Sequence, residues 1–357
     1  MKKSGKILIV LSLVLAGFLL VDYASRFFLS SGSPVQKKYP VEIYRKAKPY
    51  IMFGGAPFGV EGKERLNLSG YRGKYPAPVK EPGEFRIFVL GASTVVDGEP
   101  PIPQLLENKF RQSGFNNVNV YNFGVVSSCS GQDLARILFQ VSDLKPDLII
   151  MYNGDHDMEG PYFGDPRPGY PFNFIAYENN PILDSQIRNY PLTTLILYGS
   201  NLLRHFFPDF FLRRFVPLEQ ERMKAGYYTP AWENEIAGLY VANLKKASLI
   251  SKSFGADFIA FFQPTLAYKN TLSPEEEYSL HRLKDYNQKY LLDMRRLILA
   301  KIEAAKTTGV KIVDLSDVYV DNPNWIFIDS CHTRQEGKPI VADRIFEAIE
   351  GYKLIAH

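Results

Sequence analysis

Residues 85–94 read Phe85-Arg86-Ile87-Phe88-Val89-Leu90-Gly91-Ala92-Ser93-Thr94, and their reading decides the fold. An apolar run of strand length with little polar alternation is what a strand buried on both faces requires. It breaks at Gly91-Ala92-Ser93-Thr94, a turn of small residues that leads towards a helix. Working outward, the predicted strands are Arg86–Leu90, Val118–Asn122, Asp147–Tyr152, Asp257–Phe262 and Lys311–Leu315. Between them, Ile102–Gln112, Gln132–Ser142 and Trp232–Phe254 carry apolar stripes at three- and four-residue spacing, as helices with one buried face do. A longer helical pattern opens at Ser273-Pro274, places Glu275, Glu276 and Glu277 in its first turn and runs to about Ala305. Serine at the cap, proline at the first helical position and acids behind it suit the positive end of a helix. A last helix spans about Glu336 to Ile349. Strands alternating with helices predict the α/β class, with a parallel five-stranded sheet covered on both faces.

Two stretches interrupt that rhythm. About residues 158–228 form an insertion, far longer than an ordinary α/β connection. It starts rich in Pro, Gly and aromatics and then carries a helix-like apolar piece, Leu192–Phe207. It reads as a cap over the sheet edge or as a surface facing a membrane. Residues 30–83 are rich in Pro, Gly, Tyr and Lys with little periodicity, and read as an irregular stalk and lead-in to a domain covering 84–357.

The first 29 residues break the globular pattern. Lys2, Lys3 and Lys6 precede an uncharged apolar run from Ile7 to Val21. A basic flank before a hydrophobic segment keeps the N-terminus cytoplasmic and sends the rest across the membrane. The run is shorter than the ~20 residues of a comfortable span, as in a signal-peptide core. Tyr23, Phe27 and Phe28 extend it, and no small-x-small cleavage site follows. The reading is an uncleaved single-pass anchor with an extracytoplasmic (periplasmic or cell-surface) domain; a cleaved signal is the alternative.

Composition excludes little else. A hydrophobic fraction of 46% and a charged fraction of 22% are those of a globular protein. A net charge of +4 is too small and too dispersed for nucleic acid, and pairs such as Lys37-Lys38 and Arg213-Arg214 read as solvated faces. No CxxC or Cys/His zinc spacing is present. The run Asp155-His156-Asp157 invites a metal, but neighbours on an extended segment point to opposite faces, so no metal and no cofactor is expected.

Ligands of open parallel sheets sit outside the carboxyl ends of the strands. The first strand ends at Ser93, the second at Asn122-Phe123-Gly124, the third at Asn153-Gly154-Asp155-His156-Asp157, and beyond the fifth lies Asp329-Ser330-Cys331-His332. Attack by serine on an acyl carbonyl needs a base, a group that orients it, and donors for the oxyanion. Of five histidines, His332 alone has an acid three residues before it. Ser93, His332 and Asp329 are therefore the candidate nucleophile, base and orienting acid.

Taken together, these blocks resemble the SGNH/GDSL hydrolase family over roughly residues 84–350. Gly91-Ala92-Ser93-Thr94 resembles the nucleophile block, and Asn122 to Asp133 (Asn-Phe-Gly-Val-Val-Ser-Ser-Cys-Ser-Gly-Gln-Asp) the glycine block. Lys145 to Asp157 leads to the family's G-x-N-D, and Phe327-Ile328-Asp329-Ser330-Cys331-His332 to its D-x-x-H. Asn67-Leu68-Ser69-Gly70-Tyr71-Arg72-Gly73 is similar to the lead-in of membrane-anchored members. The resemblance implies a three-layer α/β/α flavodoxin-like fold. It also implies an oxyanion hole from the N–H groups of Ser93 and Gly124. The family's third donor is an asparagine, where this chain has His156; Asn153 is the alternative, three residues early. An imidazole donates only in the right tautomer or when charged, and Asp155 and Asp157 beside it would favour the charged form.

Cys129 and Cys331 fall in two loops that the implied fold brings to the same rim, where outside the cytoplasm they could form a disulfide. The functional expectation is a serine esterase or acyltransferase acting on acyl esters, acetyl foremost, of carbohydrate or other cell-surface substrates. The rivals are a membrane-tethered scaffold that binds glycan or a protein partner without turnover, and a lipid-directed esterase.

Overall fold

The computed structural model describes residues 3–29, 45–58, 60–61, 64–172, 174–179, 200–206, 217–282 and 287–355. In chain order the elements are α1 (Lys3–Leu29), β1 (Arg45–Lys48), β2 (Met52–Gly55), β3 (Val60–Glu61), β4 (Glu64–Arg65), β5 (Phe85–Gly91), α2 (Ser93–Val96) and α3 (Ile102–Gln112). Then come β6 (Val118–Gly124), α4 (Ser130–Arg136), β7 (Leu148–Asn153), α5 (Asp155–Phe163), α6 (Phe174–Glu178), α7 (Asn201–Phe206) and α8 (Leu218–Ala225). The chain closes with α9 (Pro230–Ser253), β8 (Asp257–Phe262), α10 (Pro274–Arg282), α11 (Gln288–Lys306), β9 (Ile312–Asp314) and α12 (Lys338–Gly351). They fall into two units, residues 45–174 with 220–357 and residues 1–44 with 175–219.

In the larger unit five strands pair in the order β6-β5-β7-β8-β9, every pairing parallel. β5 lies between β6 and β7, with Ile87 paired to both Val120 and Leu148. Side chains alternate along a strand, and here each face finds its own core. Phe88, Leu90, Ile149 and Phe262 pack with Trp232 and Tyr240 of α9 and Met294 and Ile298 of α11. Ile87, Val89, Ile150 and Phe261 pack with Leu106 and Phe110 of α3 and Val341 and Ile345 of α12. Each such side chain removed from water contributes about 1.5–3 kcal/mol before chain entropy is counted. Two cores on one sheet make three layers, α/β/α. Chain order reverses at β5, so the crevice beyond its carboxyl end is where a ligand site belongs.

The lead-in departs from expectation. From Arg45 onward it is part of the larger unit, with antiparallel pairs β1–β2 and β3–β4, and Tyr71 and Arg72 are buried. Low periodicity reflects short hairpins and turns here, not a stalk. Residues 30–44 lie outside the described residues. The predicted helix Gln132–Ser142 holds as α4 to Arg136, then loosens into a π turn and a 3₁₀ turn that ends where Lys145 adopts φ 51°. The long pattern after Ser273 is seen as α10 and α11, residues 283–286 being outside the description.

In the smaller unit, α1 is one continuous 27-residue helix whose Gly5–Ser25 stretch has a mean hydropathy of 2.5. By length and composition it can cross a membrane. Of the expected apolar helix Leu192–Phe207, residues 200–206 are described, mostly as α7; 192–199 and 207, like the side chain of His205, lie outside the description.

Candidate active site

Ser93 owes its place to Gly91. A Cβ on Gly91 would lie 2.1 Å from the carbonyl oxygen of Tyr152, so only glycine lets β5 turn against β7 at this point. The turn ends in Ser93, first residue of α2, whose N–H has no acceptor inside the helix.

Asp329 and His332 come from the loop between β9 and α12. Asp329 Oδ1 accepts the N–H groups of Cys331 (3.0 Å) and His332 (2.8 Å), which curls the loop so that the imidazole folds back over the carboxylate. An Ile328 N–H bond to the His332 carbonyl, 2.9 Å, and one from Leu266 N–H to the Ser330 carbonyl, 2.8 Å, pin the loop. His332 Nδ1 lies 2.8 Å from Asp329 Oδ2 and 3.0 Å from Oδ1. Its Nε2 lies 2.7 Å from Ser93 Oγ. A carboxylate only accepts, so Nδ1 carries the proton and Nε2 presents a lone pair to the Ser93 hydroxyl.

The electrostatics agree with that assignment. Burial pushes the His332 pKa down, but the hydrogen bond and charge of Asp329, with Asp97 and Asp155 behind, outweigh it and leave the imidazole more basic than usual. For Asp329 burial raises the pKa, and the bonds from His332 and from two backbone N–H groups bring it below the ordinary carboxylate value.

Ser93, Asp329 and His332 open onto a cleft of roughly 500 Å³, walled by Val96, Val126 and Ile328 and by Arg72, Asp97 and Glu99. Arg72 was not singled out by residue-type reasoning, although it lies in the lead-in block that resembles anchored members. Its turn explains the block: Asn67 Oδ1 accepts from Ser69 and Tyr71 N–H. A Cβ on Gly70 would meet the Gly55 carbonyl at 2.0 Å. Tyr71 then stacks on Phe123 at 4.1 Å, and the Arg72 guanidinium bonds the Val96 carbonyl and pairs with Glu99.

The expected oxyanion donors are placed differently from one another. The Gly124 N–H, at the end of β6, donates to Asn122 Oδ1 (3.0 Å). The Asn153 amide donates to Asp133 Oδ2 (2.9 Å) inside a buried group that includes the Arg136–Asp133 ion pair and Ser128. His156 sits in the first turn of α5 with its ring 6.1 Å from that of Phe172, and neither it nor Asn153 lines the cleft. Its flanking acids turn elsewhere because this segment is helical, not extended. Asp157 meets the Ser130 hydroxyl at 2.5 Å, and burial raises its pKa to about 7. Burial likewise raises Asp155, which hydrogen-bonds Cys331.

The two cysteines are free thiols, which corrects the expected disulfide. Cys129 is turned into the cap of α4, its sulfur accepting the Gln132 N–H while the Gln132 side chain answers to the Cys129 N–H. Cys331 is turned under the loop towards Asp155. Asp329, Cys331 and His332 bring three potential metal ligands within 4.8 Å, but the carboxylate and imidazole are already bonded to each other.

Comparisons with known proteins find fold likeness alone. No family model matches the chain, and no curated protein matches it. Among solved structures, an acetyl xylan esterase is 10% identical with a TM-score of 0.41, covering 74% of this chain and 100% of its own. A GDSL-like lipase from Bacteroides thetaiotaomicron VPI-5482 is 13% identical, TM-score 0.41, covering 77% and 92%. A lipase/acylhydrolase from Enterococcus faecalis is 15% identical, TM-score 0.41, covering 75% and 96%. With five parallel strands in the order β6-β5-β7-β8-β9 and helices on both faces, the chain has a three-layer α/β/α fold, with the Ser93 and Asp329/His332 blocks meeting beyond the carboxyl ends of the strands.

Proposed function

We propose that this protein is a membrane-anchored, extracytoplasmic serine esterase or O-acyltransferase that works through an acyl-serine. The observation that carries the reading is the 2.7 Å contact from Ser93 Oγ to His332 Nε2, backed by the 2.8 Å contact from Nδ1 to Asp329. In this mechanism Ser93 Oγ attacks the ester carbonyl as its proton passes to Nε2. The tetrahedral oxyanion forms beside the Ser93 N–H, and collapse expels the alcohol, which takes the proton back from His332. Water, or a sugar hydroxyl in the transferase, then gives its proton to His332 and attacks the acyl group, and collapse breaks the bond to Ser93 Oγ, which recovers the proton from His332. Asp329 stays ionised and steadies the imidazolium.

Arg72, Asp97 and Glu99 add polar groups to a cleft otherwise walled by Val96, Val126 and Ile328, which supports a donor that brings a short acyl group beside hydroxyls. Acetylated carbohydrate at the cell surface is the substrate class proposed. The competing reading, a glycan- or protein-binding scaffold, draws on the Gly124 N–H and the Asn153 amide being occupied within the protein. Full-length detergent-solubilised protein is expected to hydrolyse 4-nitrophenyl acetate. Ser93→Ala should lower kcat by roughly 10³-fold or more, with substrate binding retained. Equal rates for the two proteins would leave the scaffold.

A further inference from the structure

We propose that the N-terminal helix stays on the mature protein and that residues 200–206 are its companion at the lipid surface, the two clasped through Asp22 and Ser25. This rests on the membrane-anchor part of the reading above and not on its ester chemistry.

Asp22 is the one acid in α1. An ionisable side chain at the end of an apolar span is costly unless it has partners. Here the partners are in the insertion. Asp22, 5% exposed, accepts from the Ser200 hydroxyl at 2.7 Å and the Leu202 N–H at 2.8 Å. The Ser25 hydroxyl accepts from the Asn201 amide at 2.9 Å and donates to the Asp22 carbonyl at 2.6 Å. Ser200 Oγ in turn accepts the Leu203 N–H, 3.2 Å. Ser25 and Ser200 are buried as well. A signal peptidase that removed α1 would strip α7 of the groups that satisfy its first turn. A disposable leader has no reason to be built into the fold in this way.

The depth of the clasp follows from its neighbours. Tyr23, Phe27 and Phe28 are 62%, 70% and 81% exposed on the same helix end, where aromatic side chains mark the membrane–water boundary. Towards the N-terminus, Leu11, Leu13 and Val14 face outward as lipid-facing groups do. Residues 200–206, bonded at the level of Asp22, therefore lie at the headgroup region. Their sequence surroundings suit that place. Between Leu192 and Val216 the chain carries Tyr198, Phe206, Phe207, Phe210, Phe211 and Phe215, with Arg204, Arg213 and Arg214 against the single acid Asp209. Aromatics mixed with arginine are the composition of interfacial segments, and the excess of arginine favours anionic lipid.

The test uses the full chain. Intact mass of the protein extracted from membranes is expected to show residues 3–29 present; a chain starting beyond Ser25 would overturn the proposal. A nitroxide on Phe206→Cys, the native thiols being buried, is then followed in nanodiscs of phosphatidylethanolamine and phosphatidylglycerol. Its contact with oxygen should exceed that with a water-soluble nickel complex. Asp22→Ala should shift it to the aqueous value of a label at exposed Lys252→Cys. Asp22→Asn, which keeps an acceptor oxygen, should leave it in lipid. An aqueous signature with Asp22 intact, or dipolar broadening showing a second copy over the label, would refute the lipid contact. Nitrophenyl acetate turnover read on the same samples keeps the esterase reading separate, since its loss with label depth unchanged touches that reading alone.

Discussion

Asp329 accepts hydrogen bonds from its own loop and from the imidazole, and this double use has a consequence for substitution. Asparagine would still accept the backbone N–H groups, so the loop should survive. Its amide would instead donate to Nδ1 and drive the proton to Nε2, where it blocks acceptance from Ser93. Asp329→Asn is expected to reduce kcat by roughly 10⁴-fold with little change in KM. The pH profile gives an independent check. His332 acts as base only when neutral, and its pKa lies above the ordinary imidazole value of 6.5, so kcat/KM should rise with pH through a midpoint above 6.5. Removing the Asp329 charge removes the main cause of the upward shift. The midpoint of the residual activity should then move to lower pH, as stopped-flow or steady-state hydrolysis across pH 5–9 would read. A midpoint unmoved by Asp329→Asn would mean that another group is the base.

At the scale of elements, the loop that bears Asp329 and His332 hangs on α10. Sequence reading takes Glu275, Glu276 and Glu277 as one acidic first turn facing a helix dipole. The structure separates them. Glu276 is buried, accepts from Ser273 N–H at 3.0 Å to complete a capping box, and pairs with buried Lys269 at 2.6 Å. Its other oxygen takes the N–H groups of Ile326 and Phe327, both at 2.9 Å, two residues before Asp329. Glu276→Gln leaves the Lys269 ammonium buried without its counter-charge, and breaking such a pair costs about 3–5 kcal/mol. Urea unfolding should register that loss, with hydrolysis falling as well because the loop loses its hold.

The same case shows what a linear reading can reach. Ser93, Asp329 and His332 were legible because strand ends converge and few residue types can do the chemistry. Strands were legible because burial on both faces leaves unbroken apolar runs. The tasks of Glu276, Arg72 and Asp22 were not legible, since each is defined by a partner 50, 24 or about 180 residues away. Periodicity reports which face of an element is buried, but not what meets it. Around His156 the extended segment expected from sequence is helical, and the helix turns Asp155 and Asp157 to different partners.

For the whole molecule, both hydrophobic cores are built from residues 45–174 and 220–357 alone. Deleting residues 1–29 should therefore leave the thermal midpoint of the larger unit and its ester hydrolysis unchanged. In the same protein Ser200 and Leu202 lose Asp22, so trypsin should cut at Arg204 faster than in the intact chain. A lowered midpoint would show that the larger unit depends on α1 for its own stability.

The buried sulfurs of Cys129 and Cys331 carry a practical corollary. Burial raises the Cys129 pKa to about 12 and pushes Cys331 up as well, so neither forms the thiolate that oxidants and alkylating reagents attack. A domain without covalent cross-links does not depend on oxidative folding machinery. It can be produced in a reducing cytoplasm and moved into air without acquiring wrong pairings.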